Sequence, residues 1–529
     1  MSGSPEPLNG FQELRRPAAS TVVQRDYRFW LIFLAIAFAT ALTALELSAV
    51  STALPTIAHD LKGTSFLCVG SSYALSATAF IPLCGGLAQI FGRRIVALGS
   101  LLIMAVGSAL CGAATSMNFL IAGRTVQGIG GGAIASITAI IISDLVPLQD
   151  RGAFNGIIGI AWSLASGIGP IVGGELAQAG QWRWLFYLNI PICGIAALLM
   201  FLFLRVRTPP GTVREKLRRM DWFGNLLVIA ATTSTIIALT WSGIKHAWSS
   251  ASVLVPLILG LVGLLAFLAY ESAIPREPVV PYSLMNSLTG FSGYVQTFIA
   301  PILMMGVTYY MPVYFQACKG ASPAQGGLDL LAAALSLALC GIIAGTFMII
   351  GVGLLTTLKA DDPLGRGIGF PVVAAPGFGI LAATTYFPVL APLSISQNAL
   401  ALSYFMFLRN FAQVWGITIG GTVLQNQLLK QLPENLLSQI QGGTALAYSA
   451  IPEITKLQDP VLKEEVRVAF AESLKVIWQV ILGIAGIGLL SSLVMKALPL
   501  HASTDIEWAL EQDKQVSGQD SELADLGKA

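Results

Sequence analysis

Arg124-Thr-Val-Gln-Gly-Ile-Gly-Gly-Gly-Ala133 is the stretch on which the reading of the fold turns. Its Gly128, Gly130 and Ala133 have the spacing of a dinucleotide-binding GxGxxG/A turn, which needs a strand before it and opens a soluble helix after it. No strand-like segment precedes it; the flanks, from about 118 to 143, form one long apolar run. The segment therefore reads as a membrane-spanning helix, whose glycines let neighbouring helices approach. Within it Arg124 is expensive in lipid, and such a charge marks a pathway or a buried pair.

The composition agrees. The chain has 529 residues, 55% hydrophobic and only 11% charged, and its mean hydropathy is +0.73. A water-soluble chain carries about 25% charged residues, so most of this surface faces lipid. Thirty Lys and Arg against 28 Asp and Glu leave a net charge of +2, too balanced for a nucleic-acid binder that neutralises phosphates. The cysteines at 68, 84, 111, 193, 318 and 340 are scattered without CxxC spacing. They predict neither a disulfide framework nor a zinc site, and no metal or cofactor is expected.

A span needs about 20 apolar residues. That ruler places spans near 30–54, 66–90, 95–115, 118–143, 154–177, 184–204, 222–241, 252–270, 288–314, 366–390, 396–424 and 474–498. A further run, Leu330–Leu358, has no charge and no proline. It is too long for one upright span and too short for two spans and a turn, which need about 40 residues. The expectation is an all-α membrane protein with 14 spans, or 13 if that run crosses once. The polar segment 1–28, with Arg15, Arg16, Arg25 and Arg28, reads as a disordered cytoplasmic tail, and Arg93, Arg94, Arg151 and the cluster Arg205–Arg219 fall on the same side. The connection Gln425–Leu474 contains Pro433, Pro460 and the amphipathic stretch Val461–Leu474. It reads as a folded loop with a surface helix.

Three more segments carry more than hydropathy. Gly85–Arg94 (GGLAQIFGRR) ends the second span, where Gly92 permits a tight turn and Arg93 and Arg94 meet the negative end of a helix dipole; a plain positive-inside anchor reads equally well. In the fifth span Ala165, Gly169, Gly173 and Ala177 repeat every four residues beside Pro170 and Gly174, with Gly156 upstream. They give one helix face almost without side chains, suited to close packing and to a moving interface. In the first span Glu46 is the only ionisable residue of Leu45–Pro55. It lies about 24 Å from the cytoplasmic edge by helical rise, and Arg124 about 20 Å. The two depths allow a buried Glu46–Arg124 pair; the other reading has Glu46 snorkelling to the outer headgroups.

At these residues the chain resembles the major facilitator superfamily, and specifically its drug:proton antiporters. The resemblance rests on GGLAQIFGRR, RTVQGIGGG and GIGPIVGG (Gly167–Gly174), and on three segments similar to the 14-span branch: WRWLFYLNIP (Trp182–Pro191), RRMDWFGNLL (Arg218–Leu227) and YYMPVYFQACKGASP (Tyr309–Pro323). In texture it is most similar to fungal multidrug and toxin exporters. The resemblance implies two six-helix bundles, 29–206 and 288–498, the latter with the loop 425–473. A linker with two extra spans occupies 207–287, and a tail 499–529. It also implies a monomer that exports a small amphipathic compound in exchange for protons across the plasma membrane or the vacuolar membrane. Glu46 and Arg124 would couple the proton. Tyr73, Gln127, Trp162, Gln296, Tyr310, Gln316, Gln397, Arg409, Asn410 and Gln413 are candidates for the substrate cavity, though each also reads as helix–helix contact or interface aromatic.

Two positions depart from the family. Gln89 stands where an Asp is usual, so the charge partner of the arginines is absent or supplied by Asp144. Leu330–Leu358 is shorter than the two spans and basic loop expected there. Other classes fit poorly. There is no GxxxxGK[ST] loop for an ATP-driven pump, no TVGYG-like filter for a channel, and no HExxH or nucleophile elbow for an enzyme. Siderophore transport, basic amino-acid transport and a non-transporting sensor of the same fold remain as alternatives.

Overall fold

A computed structural model of the chain describes residues 26–61, 67–206, 211–242, 246–273, 280, 286–321, 345–433, 454, 459–496 and 498–500. Residues 1–25 and 501–529 of the two tails, and 322–344 with about half of the Leu330–Leu358 run, lie outside the described residues, while Tyr27 and Arg28, read as tail, already belong to the first helix. Among the described residues every regular element is a helix. This is what lipid demands, since each backbone N–H and C=O must be satisfied within its own segment.

The first six crossings are α1 (Tyr27–Asp60), α2 with α3 (Leu67–Ala79, Ile81–Phe91), α4 (Arg93–Gly112), α5 (Met117–Leu145), α6 (Arg151–Gln178), and α7 with α8 (Arg183–Tyr187, Asn189–Phe203). A short basic helix, α9 (Val213–Arg219), opens with a capping box between Thr212 and Glu215 and leads into the inserted pair α10 (Trp222–Trp241) and α11 (Ala251–Ala273). The remaining helices are α12 (Leu288–Lys319), α13 (Gly345–Leu355), α14 with α15 (Leu364–Thr384, Tyr386–Leu390), α16 (Asn398–Gln431) and α17 (Pro460–Ser492). Eleven of the expected spans are long and apolar enough to cross a membrane. The one expected at 396–424 is α16, which is long enough, but it carries Arg409, Asn410 and Gln413 and is too polar to be enclosed by lipid on all sides.

The reading of 425–474 as a loop with a separate surface helix is corrected. Helix α16 runs on to Gln431, and α17 starts at Pro460, capped by Asp459 Oδ1 on Val461 N at 2.9 Å. It is continuous for 33 residues, about 50 Å of rise. The polar stretch is the outer end of a membrane helix projecting beyond the hydrocarbon, with Val466, Phe470 and Leu474 already buried.

Two contacts fix the faces. Lys319 Nζ donates to the carbonyls of Ala360 and Asp362, so Lys319 and Asp362 lie on one side of the membrane. At the other side Lys496 N donates to Thr289 Oγ1 at 3.1 Å and Gln149 Nε2 to Leu500 O at 3.2 Å. The end of α17 therefore shares the cytoplasmic face with the loop before Arg151.

The buried apolar side chains sort by depth. On the cytoplasmic half one core is shared by both bundles: Ile137, Ile141, Leu145 and Phe154 join Tyr294, Leu390, Leu402 and Phe405. On the outer half there are two separate cores. One lies among α1, α4, α5 and α7 around Ala53, Met117, Trp182 and Phe186, the other among α12, α14, α16 and α17 around Met311, Phe315, Phe470 and Trp478. Among the described residues the bundles share a core inside and have separate cores outside, the pattern of an outward-open arrangement. The insert straddles the seam: α10 packs on α2 and on α16, and Trp248 Nε1 donates to Thr422 Oγ1 at 3.0 Å.

Candidate functional site

The expected Glu46–Arg124 pair is present. Arg124 Nη1 donates to Glu46 Oε1, and both side chains are at most 2% exposed. The snorkelling reading of Glu46 is thereby ruled out. Arg124 also donates from Nη1 to Gln127 Oε1 at 2.7 Å and from Nε to Val69 O at 3.2 Å. Its guanidinium lies over the Tyr73 ring, 4.6 Å from the centroid. Gln127 Nε2 continues to Ser108 Oγ at 2.9 Å. A charge stranded in the membrane is costly, and this network, drawn from α1, α2, α4 and α5, meets the need of both ions.

Asn189 completes the cluster and was not anticipated as a site residue. Its Nδ2 donates to Glu46 Oε2 and to Ser108 Oγ, the latter at 3.3 Å, and the residue is fully buried. The signal was available: an amide in the middle of an apolar span, two residues before Pro191. That proline cannot donate to the carbonyl four residues back, at Tyr187, and α7 and α8 part at Leu188. Upstream in the same motif Trp182 Nε1 donates to Asp60 Oδ2 at 2.9 Å and Arg183 Nη2 to Ala114 O at 3.1 Å, anchoring the outer end of α7.

At the cytoplasmic end of α3, Gly92 has φ +92°, a conformation that favours glycine, and turns the chain into α4. Arg93 Nε meets Asp144 Oδ2 at 2.8 Å, both buried, and Nη1 donates to Ala88 O at 3.1 Å. Asp144 thus supplies the carboxylate that Gln89 lacks, while Gln89 is half-buried and takes no part in that pair. Arg94 turns instead to α8, where it donates to Phe201 O and lies over the Phe201 ring. Arg151, a second residue the sequence reading had used only for topology, donates to Ser143 O at 2.7 Å and Val146 O at 2.8 Å. It satisfies the carbonyls that the end of α5 exposes. Across the seam Ser403 Oγ donates to Ile81 O at 3.0 Å, and a Cβ at Gly85 would overlap Ser403.

The small-residue face of α6 packs on α1. A Cβ at Gly169 would overlap Ser48, and one at Gly173 would overlap Ala49 O and Thr52 Oγ1, less than two turns from Glu46. Gly156 and Gly174 have open space where their side chains would be and make no such approach. Pro170 lies within α6 as expected.

Only part of the cavity set comes together. Tyr73 and Gln127 belong to the buried cluster. Tyr310 does not line a cavity: it is 1% exposed, its hydroxyl donates to Ile417 O and its ring fills the space left by Gly420. Gln296 lies in the cytoplasmic third of α12 with Nε2 3.8 Å from Met495 Sδ, and Gln397 precedes α16 at the cytoplasmic rim. These three were chosen as polar or aromatic residues within spans, which gives neither the rotational phase of Tyr310 nor the depth of Gln296 and Gln397. Trp162, Gln316, Arg409, Asn410 and Gln413 are all partly exposed, and Asn410 Nδ2 turns back onto Met406 O at 2.8 Å. Along α16, Phe407 and Phe411 stack at 5.7 Å and Trp415 meets Phe411 edge-on at 6.2 Å.

The model of the Major Facilitator Superfamily matches residues 36–452. The efflux pump FUS6 of Gibberella moniliformis is 38% identical to this chain, covering 97% of it and 95% of the relative. The MFS-type efflux pump LUC4 of a Fusarium species is also 38% identical, over 94% of this chain and 93% of its own. The Acurin A biosynthesis cluster MFS-type transporter of Aspergillus aculeatus is 37% identical, over 92% and 93%. Among solved structures the fold is similar to the human organic anion transporter MFSD10 (TETRAN), with TM-score 0.56 at 14% identity over 86% of this chain and 99% of that one. A bacterial homolog of the human lysosomal transporter Spinster, inward-facing and unoccupied, gives 0.54 at 14% identity, over 89% and 98%. The helical crossings and these full-length relationships together establish that the chain belongs to the major facilitator superfamily and is a multi-pass membrane transporter, not an enzyme, of the efflux type.

Proposed function

We propose that the protein exports small amphipathic compounds, of the kind made by secondary metabolism, from the cell in exchange for protons, by alternating access at the plasma membrane. The observation that carries this reading is the buried Glu46–Arg124 pair. A carboxylate at that depth is kept ionised by its partner, and a proton arriving from the open outer side removes the charge that holds Arg124. Arg124 then relaxes toward Gln127, Val69 and Tyr73, and the change at Glu46 is passed to α1. That helix lies on the side-chain-free face of α6, along which it can shift at small steric cost. Release of the proton to the cytoplasm restores the pair.

Helix α16 suits the cargo. Its partly exposed Trp415 ends the ring series Phe407, Phe411 and Trp415, and Trp415 Nε1 is a buried donor with no hydrogen bond among the described residues, while the partly exposed Arg409 and Gln413 lie on the opposite side of the helix. A ligand with a flat apolar surface and an acceptor group fits the exposed part of Trp415 and its unpaired donor. The relative from the Acurin A cluster supports a secondary metabolite as cargo.

Everted membrane vesicles containing the full chain test the coupling. An imposed inward-acid gradient is expected to drive uptake of the amphipathic dye ethidium, and a protonophore to stop it. Glu46→Gln is expected to lose the response to the gradient. Equal uptake by wild type and Glu46→Gln would remove Glu46 from the mechanism.

A further inference from the structure

The two oxygens of Glu46 have partners of different chemistry. Oε1 faces Arg124, which carries only donors, whereas Oε2 faces Asn189, an amide with a donor end and an acceptor end. With Glu46 ionised the donor end must face the carboxylate, and it does: Nδ2 serves both Glu46 Oε2 and Ser108 Oγ. The acceptor end is then idle. Asn189 Oδ1 is buried and accepts no hydrogen bond among the described residues, a condition that carries a desolvation cost for a polar oxygen. Arg124 cannot reverse its polarity, whereas the Asn189 amide can.

We infer that Asn189 is a positioning residue for proton coupling, whose side-chain amide turns over when Glu46 takes up its proton. The inference rests on the reading of Glu46 as the coupling carboxylate. When a proton binds Oε2, the new O–H is a donor and can no longer face Nδ2. Rotation of the amide by about half a turn about its terminal bond presents Oδ1 to accept that O–H, a torsion that is broad and two-fold for Asn. The proton stays on Glu46, Arg124 keeps its charge, and the idle acceptor gains a partner. Ser108 Oγ, which accepts from Gln127 Nε2 at 2.9 Å as well as from Asn189, loses one donor in the process. Asn189 stands at the first residue of α8, beside the break at Leu188 and two residues before Pro191. The turnover therefore occurs at a joint of the sixth crossing, where few backbone hydrogen bonds oppose a change of angle.

Infrared difference spectra of the purified full-length protein in lipid vesicles, recorded against pH, test this without a transported compound. Wild type is expected to show a protonated-carboxyl band that titrates and is missing in Glu46→Gln. Asn189→Leu, similar in size but neither donor nor acceptor, is expected to move the midpoint to higher pH by about one unit, tenfold in proton concentration. The direction follows from the loss of a hydrogen bond to the ionised form, which is stronger than one to the neutral acid. The carboxyl band is also expected to move to higher wavenumber, since its O–H has lost an acceptor. Asn189→Gln, which keeps both ends of the amide, is expected to restore both observables toward wild type. If Asn189→Leu does not fold, Asn189→Ala is read in the same way. A midpoint and band unmoved by either variant would overturn the role of Asn189. Absence of a Glu46-dependent band in the wild type would instead overturn the coupling reading itself.

Discussion

The guanidinium of Arg124 serves the Glu46 carboxylate, the Gln127 amide oxygen and the Val69 carbonyl at once, and is the one cation described as bonded to Glu46. Arg124→Ala would strand a buried carboxylate, and is expected to destabilise the purified protein by about 3–5 kcal/mol. Adding Glu46→Gln to that variant removes the stranded charge, so the double variant should lose well under the sum of the single losses. Thermal unfolding of the four proteins checks this; additive losses would show that the pair is not energetically coupled. The pair was legible in the sequence because two quantities, helical rise and bilayer thickness, place residues 46 and 124 at the same depth. Tyr310 was not legible as a packing residue because position along a span says nothing of the direction in which a helical side chain points, and Gln296 and Gln397 were misplaced because membership of an apolar run does not give the depth of a side chain. Asn189 went unassigned for a different reason. A neutral amide raises no electrostatic alarm in an apolar run, and its importance comes from Glu46, far away in sequence.

Helices α1 and α6 touch through atoms that cannot all give way. A methyl group at Gly173 meets the backbone carbonyl of Ala49, whereas one at Gly174 meets open space. Gly173→Ala is expected to cost about 1–3 kcal/mol through overpacking, and to reduce ethidium export in the vesicle assay. Gly174→Ala, with space to spare, is expected to stay within about 0.5 kcal/mol of wild type. Equal melting temperatures for the two variants would mean that α1 and α6 are not in close contact. The repeat of small residues at four-residue spacing made this face readable in advance, because helical periodicity is a local property of the chain. The length of α17 was not readable in the same way. Hydropathy reports where lipid is crossed, and Lys463, Glu464, Glu465 and Arg467 stop the count although the helix itself begins at Pro460. The helix at 396–424 was found despite Arg409, but its departure from a lipid-facing composition takes on meaning only once it is seen packed among α3, α5, α10, α12 and α17.

For the whole molecule, the shared cytoplasmic core and the divided outer cores among the described residues define the outward-open state of this structure, and neither is encoded in any one segment. Residues such as Leu145 and Phe405 become neighbours only when the bundles close on that side. Across the seam at Gly85, Ser403 occupies the position a side chain would take and bonds to Ile81 O. In the inward-open state the same seam must part, so a side chain at 85 penalises one state and not the other. A wedge costing about 2 kcal/mol in the closed seam would change the ratio of outward to inward forms roughly thirty-fold. Gly85→Val is therefore expected to shift the population toward inward-open with little loss of overall stability, since the cost is relieved by a motion the transporter already makes. Spin labels on the exposed residues Gln181 and Gln431, which lie at the outer ends of the two bundles, report the change as a shorter mean distance by pulsed electron spin resonance. Gly86→Val, with open space around Gly86, is expected to leave that distance as in wild type. A distance unchanged by Gly85→Val in a folded protein would show that the Gly85–Ser403 contact does not hold the cytoplasmic side closed.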